Sequence, residues 1–235
     1  MRNRMLHIAL LLLLVSASPG AGQRRGTPGV SERGGRGFFM VGVEKLELDE
    51  LNASLTAEGF PTFSQRFLTL GGGGYFIRGR LILGGEGHTI LQSDETTSDG
   101  AFRTRITGGF GMVNVGYQVL RGGRFAIYPL LALGGGAMNL RITERSTLAF
   151  DEILQNPRRG ANLANGAFLA GAALGADWFI PAGEGGKGVV LGLRAGFNYA
   201  PLEPEWSMDG VDIANGPDAG FTGPWVRLTL GGGSR

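Results

Sequence analysis

Between Gly166 and Ala200 the chain carries two runs of period-two alternation joined by a Gly/Pro turn, and this pattern leaves few folds open. In the second run Val189, Leu191, Leu193, Ala195, Phe197 and Tyr199 share one face, while Gly192, Arg194, Gly196 and Asn198 share the other. Successive strand side chains point to opposite faces, so one side is apolar and the other small or polar. The first run repeats the arrangement, with Phe168, Ala170, Ala172, Leu174, Ala176 and Trp178 opposing Gly171, Ala173, Gly175 and Asp177. Ile180 to Lys187, rich in Gly and Pro, reads as the turn. Each run, at roughly ten residues or more, is long enough to cross a bilayer as a tilted strand. The pair reads as one hairpin of a transmembrane β-barrel.

The N-terminus sets the compartment. A basic Met1-Arg-Asn-Arg4 precedes the apolar run Leu6 to Ala17, which is too short for a membrane-spanning helix and matches a signal-peptide core. Small residues at Val15-Ser-Ala17 offer a cleavage point, and residues 1–22 are expected to be removed on export. Residues 23–37, rich in Gly, Arg and Ser, read as a flexible leader, leaving 38–235 as the barrel domain. Cysteine is absent, which excludes a disulfide framework, a thiol nucleophile, thiolate metal sites and lipidation on an N-terminal cysteine. No metal and no cofactor is expected. Many of the 44 glycines lie inside alternating apolar runs, where they suit a tightly curved barrel. Without a second helical span, only a closed barrel could satisfy the backbone of this chain within lipid.

Taken in order, strands are expected near 38–48, 64–77, 80–89, 103–120, 124–142, 166–179, 188–199 and 222–230. The connections alternate long and short throughout, with tight turns at Arg78-Gly79 and Arg121-Gly-Gly123. In the first long connection, Leu48, Leu51 and Leu55 have the spacing of a short helix. Short turns at one end and long loops at the other mark outer-membrane barrels. The fold class expected is therefore all-β: an eight-stranded antiparallel up-and-down transmembrane barrel with short periplasmic turns and long outer loops. The first, second and fourth loops carry acids (Asp49, Glu50, Glu58, Asp94, Glu95, Asp99, Glu203, Glu205, Asp209, Asp212, Asp218) without Lys or Arg. The short turns carry Arg78, Arg121, Arg124 and Lys187. An acidic rim of this kind can bind divalent cations that bridge to lipopolysaccharide phosphates, and it is not a nucleic-acid surface.

Gly-rich amphipathic strands such as Phe67-Leu-Thr-Leu-Gly-Gly-Gly-Gly-Tyr-Phe76 and Leu131-Ala-Leu-Gly-Gly-Gly-Ala-Met-Asn-Leu140 resemble those of the small outer-membrane β-barrel family, whose familiar member is the OmpA-type transmembrane domain. The resemblance covers roughly Phe38 to Leu230 and rests on pattern, with no invariant motif. It implies residence in the cell outer membrane of a Gram-negative-type bacterium, contact with outer-membrane lipid and lipopolysaccharide, and insertion by the barrel assembly machinery. The chain departs from the family by ending Trp225-Val-Arg-Leu-Thr-Leu-Gly-Gly-Gly-Ser-Arg235, where such barrels usually end on an aromatic residue. No periplasmic domain is expected beyond the last strand.

With the apolar faces turned to lipid, the inward set is expected to be Glu44, Arg80, Glu86, Asp177, Arg194 and Arg227, a lumen charge network. Isolated charges are costly in so narrow an interior. Three acids and three bases should therefore pair, giving a plugged barrel. Phe76, Tyr117, Tyr128, Trp178, Tyr199 and Trp225 are candidates for the interfacial aromatic girdle. The charges of the second, fourth and fifth strands have ambiguous parity and receive no face. These features favour a structural or interaction role with acidic loops, and no catalytic residue is assigned. A narrow solute pore is one alternative. A lipid-modifying hydrolase would have to use His88, expected near the outer end of the third strand, with Glu86 and the nearby Ser93, Asp94, Ser98 and Asp99. A soluble lipocalin-like ligand-binding barrel would turn the apolar face inward.

Overall fold

The computed structural model describes residues 33–97, 100–144, 151, 160–182, 186–202 and 205–234. The expected signal peptide and the first part of the leader lie outside them. In chain order the elements are β1 (Arg33–Lys45), α1 (Asp49–Ala57), β2 (Arg66–Arg78), β3 (Leu81–Thr96), β4 (Phe102–Tyr117), β5 (Leu120–Gly122), β6 (Phe125–Glu144), β7 (Gly160–Pro181), β8 (Lys187–Tyr199), β9 (Glu205–Met208), β10 (Val211–Ile213) and β11 (Gly223–Ser234).

Eight of these strands close a barrel. The order runs β8-β11-β1-β2-β3-β4-β6-β7, and β7 returns to pair with β8, every neighbour antiparallel. Closure removes the unpaired strand edges that an open sheet would expose. β5 is a three-residue hairpin arm on β6, and β9–β10 is a small hairpin laid against the loop end of β7. Its turn is Asp209-Gly210, both with positive φ (51° and 80°), the two-residue geometry that Asp-Gly favours.

Alternation sorts the side chains as the period-two rule demands. Val113, Leu131, Leu174 and Leu228 are each at least 60% exposed on the outer face, while Glu44 and Arg227 on the inner face are 0% and 1% exposed. On β6 the outward apolar run from Phe125 to Ala137 would stand roughly 30 Å tall at the usual strand rise and a tilt of about 40°. That is the height of a bilayer core.

Several strands outrun their expected limits, β11 among them, which runs on to Ser234. β1 opens at Arg33, inside the expected leader. β3 runs on to Thr96 through the expected acidic loop, and β7 starts at Gly160. In each case a neighbouring strand supplies the missing ladder: Arg33 lies opposite Arg78, Thr96 opposite Arg103, and Gly160 opposite Thr143. The β1 extension depends on a partner beyond the first loop, whereas those of β3 and β7 lengthen hairpins between consecutive barrel strands.

A folded cap closes the loop end. α1 has acids Asp49 and Glu50 in its first turn, where the helix dipole favours them, and buries Leu51 and Leu55. It stops at Gly59, whose φ of 78° provides the left-handed step that ends helices. The Asn52 amide donates to the carbonyl of Phe63 (3.0 Å) and accepts from its N–H (2.9 Å), pinning the descending chain. Glu47 and Gly220 exchange two backbone bonds, tying the first loop to the last. Phe221 then descends to meet Phe110 inside the barrel, ring centroids 5.2 Å apart. Leu46, Leu48, Phe63, Trp206 and Ala219 join the inward Ile106, Met138 and Leu140 in one buried apolar cluster.

Candidate functional site

Below that cap the inward polar side chains form one connected network. β1, β3, β6, β7, β8 and β11 contribute, and the links run from the cap towards the short-turn end. Asn198 on β8 donates to Glu44 Oε1 on β1 (2.7 Å) and accepts from the Trp225 indole N–H (3.0 Å). Arg227 on β11 bridges two acids, donating to Glu44 Oε2 (2.9 Å) and Glu86 Oε1 (3.2 Å). Arg194 on β8 donates to the other oxygen of Glu86 (3.2 Å) and to the Tyr128 hydroxyl (3.3 Å). Tyr128 donates to Asp177 on β7 (2.7 Å), and Asp177 also accepts from Arg36 on β1. His88 Nε2 lies 3.3 Å from Glu86 Oε1.

The charges balance within this chain of contacts: Glu44, Glu86 and Asp177 face Arg36, Arg194 and Arg227. Pairing is what makes such burial tolerable, since a carboxylate or guanidinium removed from water without a partner costs several kcal/mol or more. Aromatic faces complete the arginine environments. The Arg194 guanidinium lies 4.4 Å from the Phe38 ring centre and 4.5 Å from that of Tyr75, and Arg227 lies 3.8 Å from Trp225. A guanidinium over an aromatic face gains from the ring quadrupole, more so when dry.

Inward glycines make room for these large groups. A Cβ at Gly175 would collide with the Tyr128 ring, one at Gly71 with the His88 ring, and one at Gly192 with Asp177 and Thr229. Large side chains on one strand thus interlock with the bare backbone of the next, as small barrels require. At the short-turn end a further apolar layer of Ile77, Ile82, Ala126 and Leu130 surrounds Tyr75 and Tyr128. The cavity remaining there, between Arg36, Gln118 and Arg121, measures about 20 Å³, close to the space of a single water.

The structure corrects three of the expected assignments. Arg80 is exposed in the turn before β3, its carbonyl accepting from the Gln118 N–H, and takes no part in the network. Arg36 has an inward position that sequence reasoning missed, because it falls in the stretch read as a leader. Tyr128 and Trp225 are not girdle residues: they are 0% and 6% exposed and face the lumen. For Trp225 the parity was already available, since it shares a face with Arg227 and opposes Val226 and Leu228. For Tyr128 it was not, because both faces of β6 carry large apolar residues. Phe76, Tyr117, Trp178 and Tyr199 do face outward, and Phe125 stands beside Trp178 at the short-turn end.

His88 also sits elsewhere than expected. β3 continues to Thr96, so His88 lies well inside the strand, buried and stacked on Phe110 (4.9 Å between centroids). Ser98 and Asp99 fall outside the described residues. Among the described residues there is no group of three or more His, Asp or Glu side chains arranged to hold a metal ion.

Closed antiparallel strands, an outward apolar belt, short turns opposite a folded loop end and a polar lumen together define the small eight-stranded barrel of outer-membrane type. No family model matches the chain, and no curated protein sequence matches it. Among solved structures it is similar to Ail, the attachment invasion locus protein of Yersinia pestis, in complex with the heparin analogue sucrose octasulfate. That likeness has a TM-score of 0.45 at 10% identity, covering 86% of this chain and 97% of the other. Ail without that ligand gives 0.40 at 12% identity, covering 86% and 95%. Neisserial surface protein A gives 0.36 at 10% identity, covering 86% and 95%.

Proposed function

We propose that this chain is a non-conducting outer-membrane barrel that stiffens the membrane locally and holds a folded cap, with acidic loops, at the cell surface. The observation that carries the reading is the pairing of an outward apolar belt with inward charges that are bonded to one another beneath a folded cap. An exposed belt of this size is a liability in water and an anchor in lipid. The apolar cap and the paired charges beneath it, among the described residues, favour a plugged barrel over the pore reading. Turning the apolar face inward around a ligand, as a lipocalin does, would require the opposite parity on every strand.

The acids of the cap are distributed over its surface: Asp49 is bonded by Gln65, Glu50 accepts from the Asp218 N–H, and Asp209 and Asp212 lie in the turn and second strand of the β9–β10 hairpin. They present a negative, rigidly held surface to a partner or to divalent cations. His88, sealed beneath the cap against Glu86 and Phe110, is a packing and hydrogen-bonding residue in this reading.

Two measurements on the intact protein test the proposal. Protein extracted from washed outer membranes should migrate as a compact band that shifts on boiling, and it should need detergent to stay in solution. Reconstituted into a planar bilayer, it should give no steady single-channel conductance. A soluble periplasmic protein would overturn the membrane placement, and a stable open conductance would overturn the plugged lumen.

A further inference from the structure

One outward-facing cluster is not absorbed by the lumen or the cap. Arg103 and Arg105 on β4 and Arg141 and Thr143 on β6 line a cleft of about 290 Å³ on the outer wall, at the loop end. Arg105 lies directly opposite Arg141 in the β4–β6 ladder, and Arg103 opposite Thr143. Like charges directly opposite on adjacent strands repel. The pairing is therefore unfavourable unless an anion sits between them.

Among the described residues Asp94 is the anion that engages these arginines, and a backbone irregularity aims it. Along β3 the even-numbered residues to Ile90 face inward, and continuing that parity would send Asp94 into the lumen. A bulge between Ile90 and Ser93 inserts one residue and reverses the parity, so Asp94 comes opposite Arg105 on the outer wall. There it accepts from Arg103 (2.7 Å) and from Arg105 Nε (2.6 Å). Two guanidinium groups thus meet one carboxylate, while the third, Arg141, lines the same cleft with no ion pair among the described residues. The position matters as much as the charge. On β6 the apolar wall ends at Ala137, and Arg141 stands one pleat repeat above Asn139, at the height where lipid headgroups begin.

We infer that Arg103, Arg105 and Arg141 form a binding site for the phosphate group of an outer-leaflet phosphorylated lipid, with Thr143 as a neutral hydroxyl beside it. Planar guanidinium forks match phosphate oxygens in paired hydrogen bonds. Asp94 preorganises two of the arginines and lowers the local charge enough for them to coexist before the lipid arrives. This rests on the proposed membrane placement with the cap outward, and it names a direct lipid contact, where the acidic loops would need a bridging cation.

The test is native mass spectrometry of the full chain released from detergent micelles carrying phosphatidic acid, phosphatidylcholine or neither, with inorganic phosphate added in a separate series. A phosphatidic acid adduct that phosphatidylcholine does not form is expected. The Arg105→Gln/Arg141→Gln protein should hold it about tenfold more weakly, the scale of losing charge-assisted bonds at a half-exposed site. Arg78→Gln, at the opposite end of the barrel, should leave it unchanged. Equal retention of both lipids, or an undiminished adduct in the double variant, would overturn the site. Inorganic phosphate binding as tightly as the lipid would overturn the lipid assignment. The boiling shift of each variant reports folding separately, so loss of the barrel is distinguishable from loss of the site.

Discussion

Glu86 is the hub of the lumen, and Glu86→Gln is the most informative single change in this protein. Its two oxygens accept from Arg194 and Arg227, both at 3.2 Å, with His88 at 3.3 Å. The substitution keeps the volume but removes one of three buried negative charges while three buried arginines remain. Breaking a buried pair by neutralising one partner costs about 3–5 kcal/mol, because the other charge is left uncompensated. That corresponds to between about a hundredfold and a few thousandfold in the folding equilibrium. At a urea slope of about 2 kcal/mol per molar, the midpoint should fall by roughly 2 M. The assay is urea unfolding in lipid bicelles, read by the boiling-sensitive gel band and by tryptophan emission, to which Trp225 against Arg227 contributes. Combining Glu86→Gln with Arg194→Met should cost less than the two changes summed, by about 0.5–3 kcal/mol, as coupled neighbours do. A midpoint indistinguishable from the parent, or strict additivity, would refute the connected network and leave the charges as independent, solvated groups.

Four further outcomes follow from the same geometry. Leu131→Arg, at a 63% exposed site on the lipid belt, should cost about 2–4 kcal/mol and reduce insertion into preformed vesicles, measured by flotation. Gly175→Val should be destabilising by about 1–3 kcal/mol through its collision with the Tyr128 ring. Gly37→Ala, where a Cβ meets nothing within 4 Å, should leave the thermal shift of the folded band in place. Asn52→Ala removes both bonds to the Phe63 backbone, and should cost about 1–3 kcal/mol locally. It should appear as faster proteolytic cleavage between α1 and β2 while the barrel core stays resistant.

Much of the barrel was legible in the residues. Strands β2 and β8 fall within a residue or two of their expected limits, because their alternation is unbroken and each is bounded by Gly-rich or polar turn residues. The helix in the first connection was visible in the spacing of Leu48, Leu51 and Leu55. The β9–β10 hairpin was missed although Asp209-Gly210 carries a strong local signal for such a turn. Of the lumen residues, Glu44, Glu86, Asp177, Arg194 and Arg227 could be placed inward from parity, since each shares a face with glycine or small residues. Arg36 could not, because Gly34 to Gly37 contains no apolar alternation from which to read a face.

The sequence by itself determined the strand periodicity, the approximate strand number and the alternation of long and short connections, all of which are local properties of the chain. Only the tertiary structure decided which charge meets which. Glu86 lies 108 residues from Arg194 and 141 from Arg227, and their contact depends on the stagger with which the barrel closes. The same holds for the outward arginine cleft, whose parity on β3 changes at a single bulge. Period two assigns a face along one strand, but register between strands is set by how the whole sheet curls and shuts. That closure turns an alternating pattern into a network of paired inward charges.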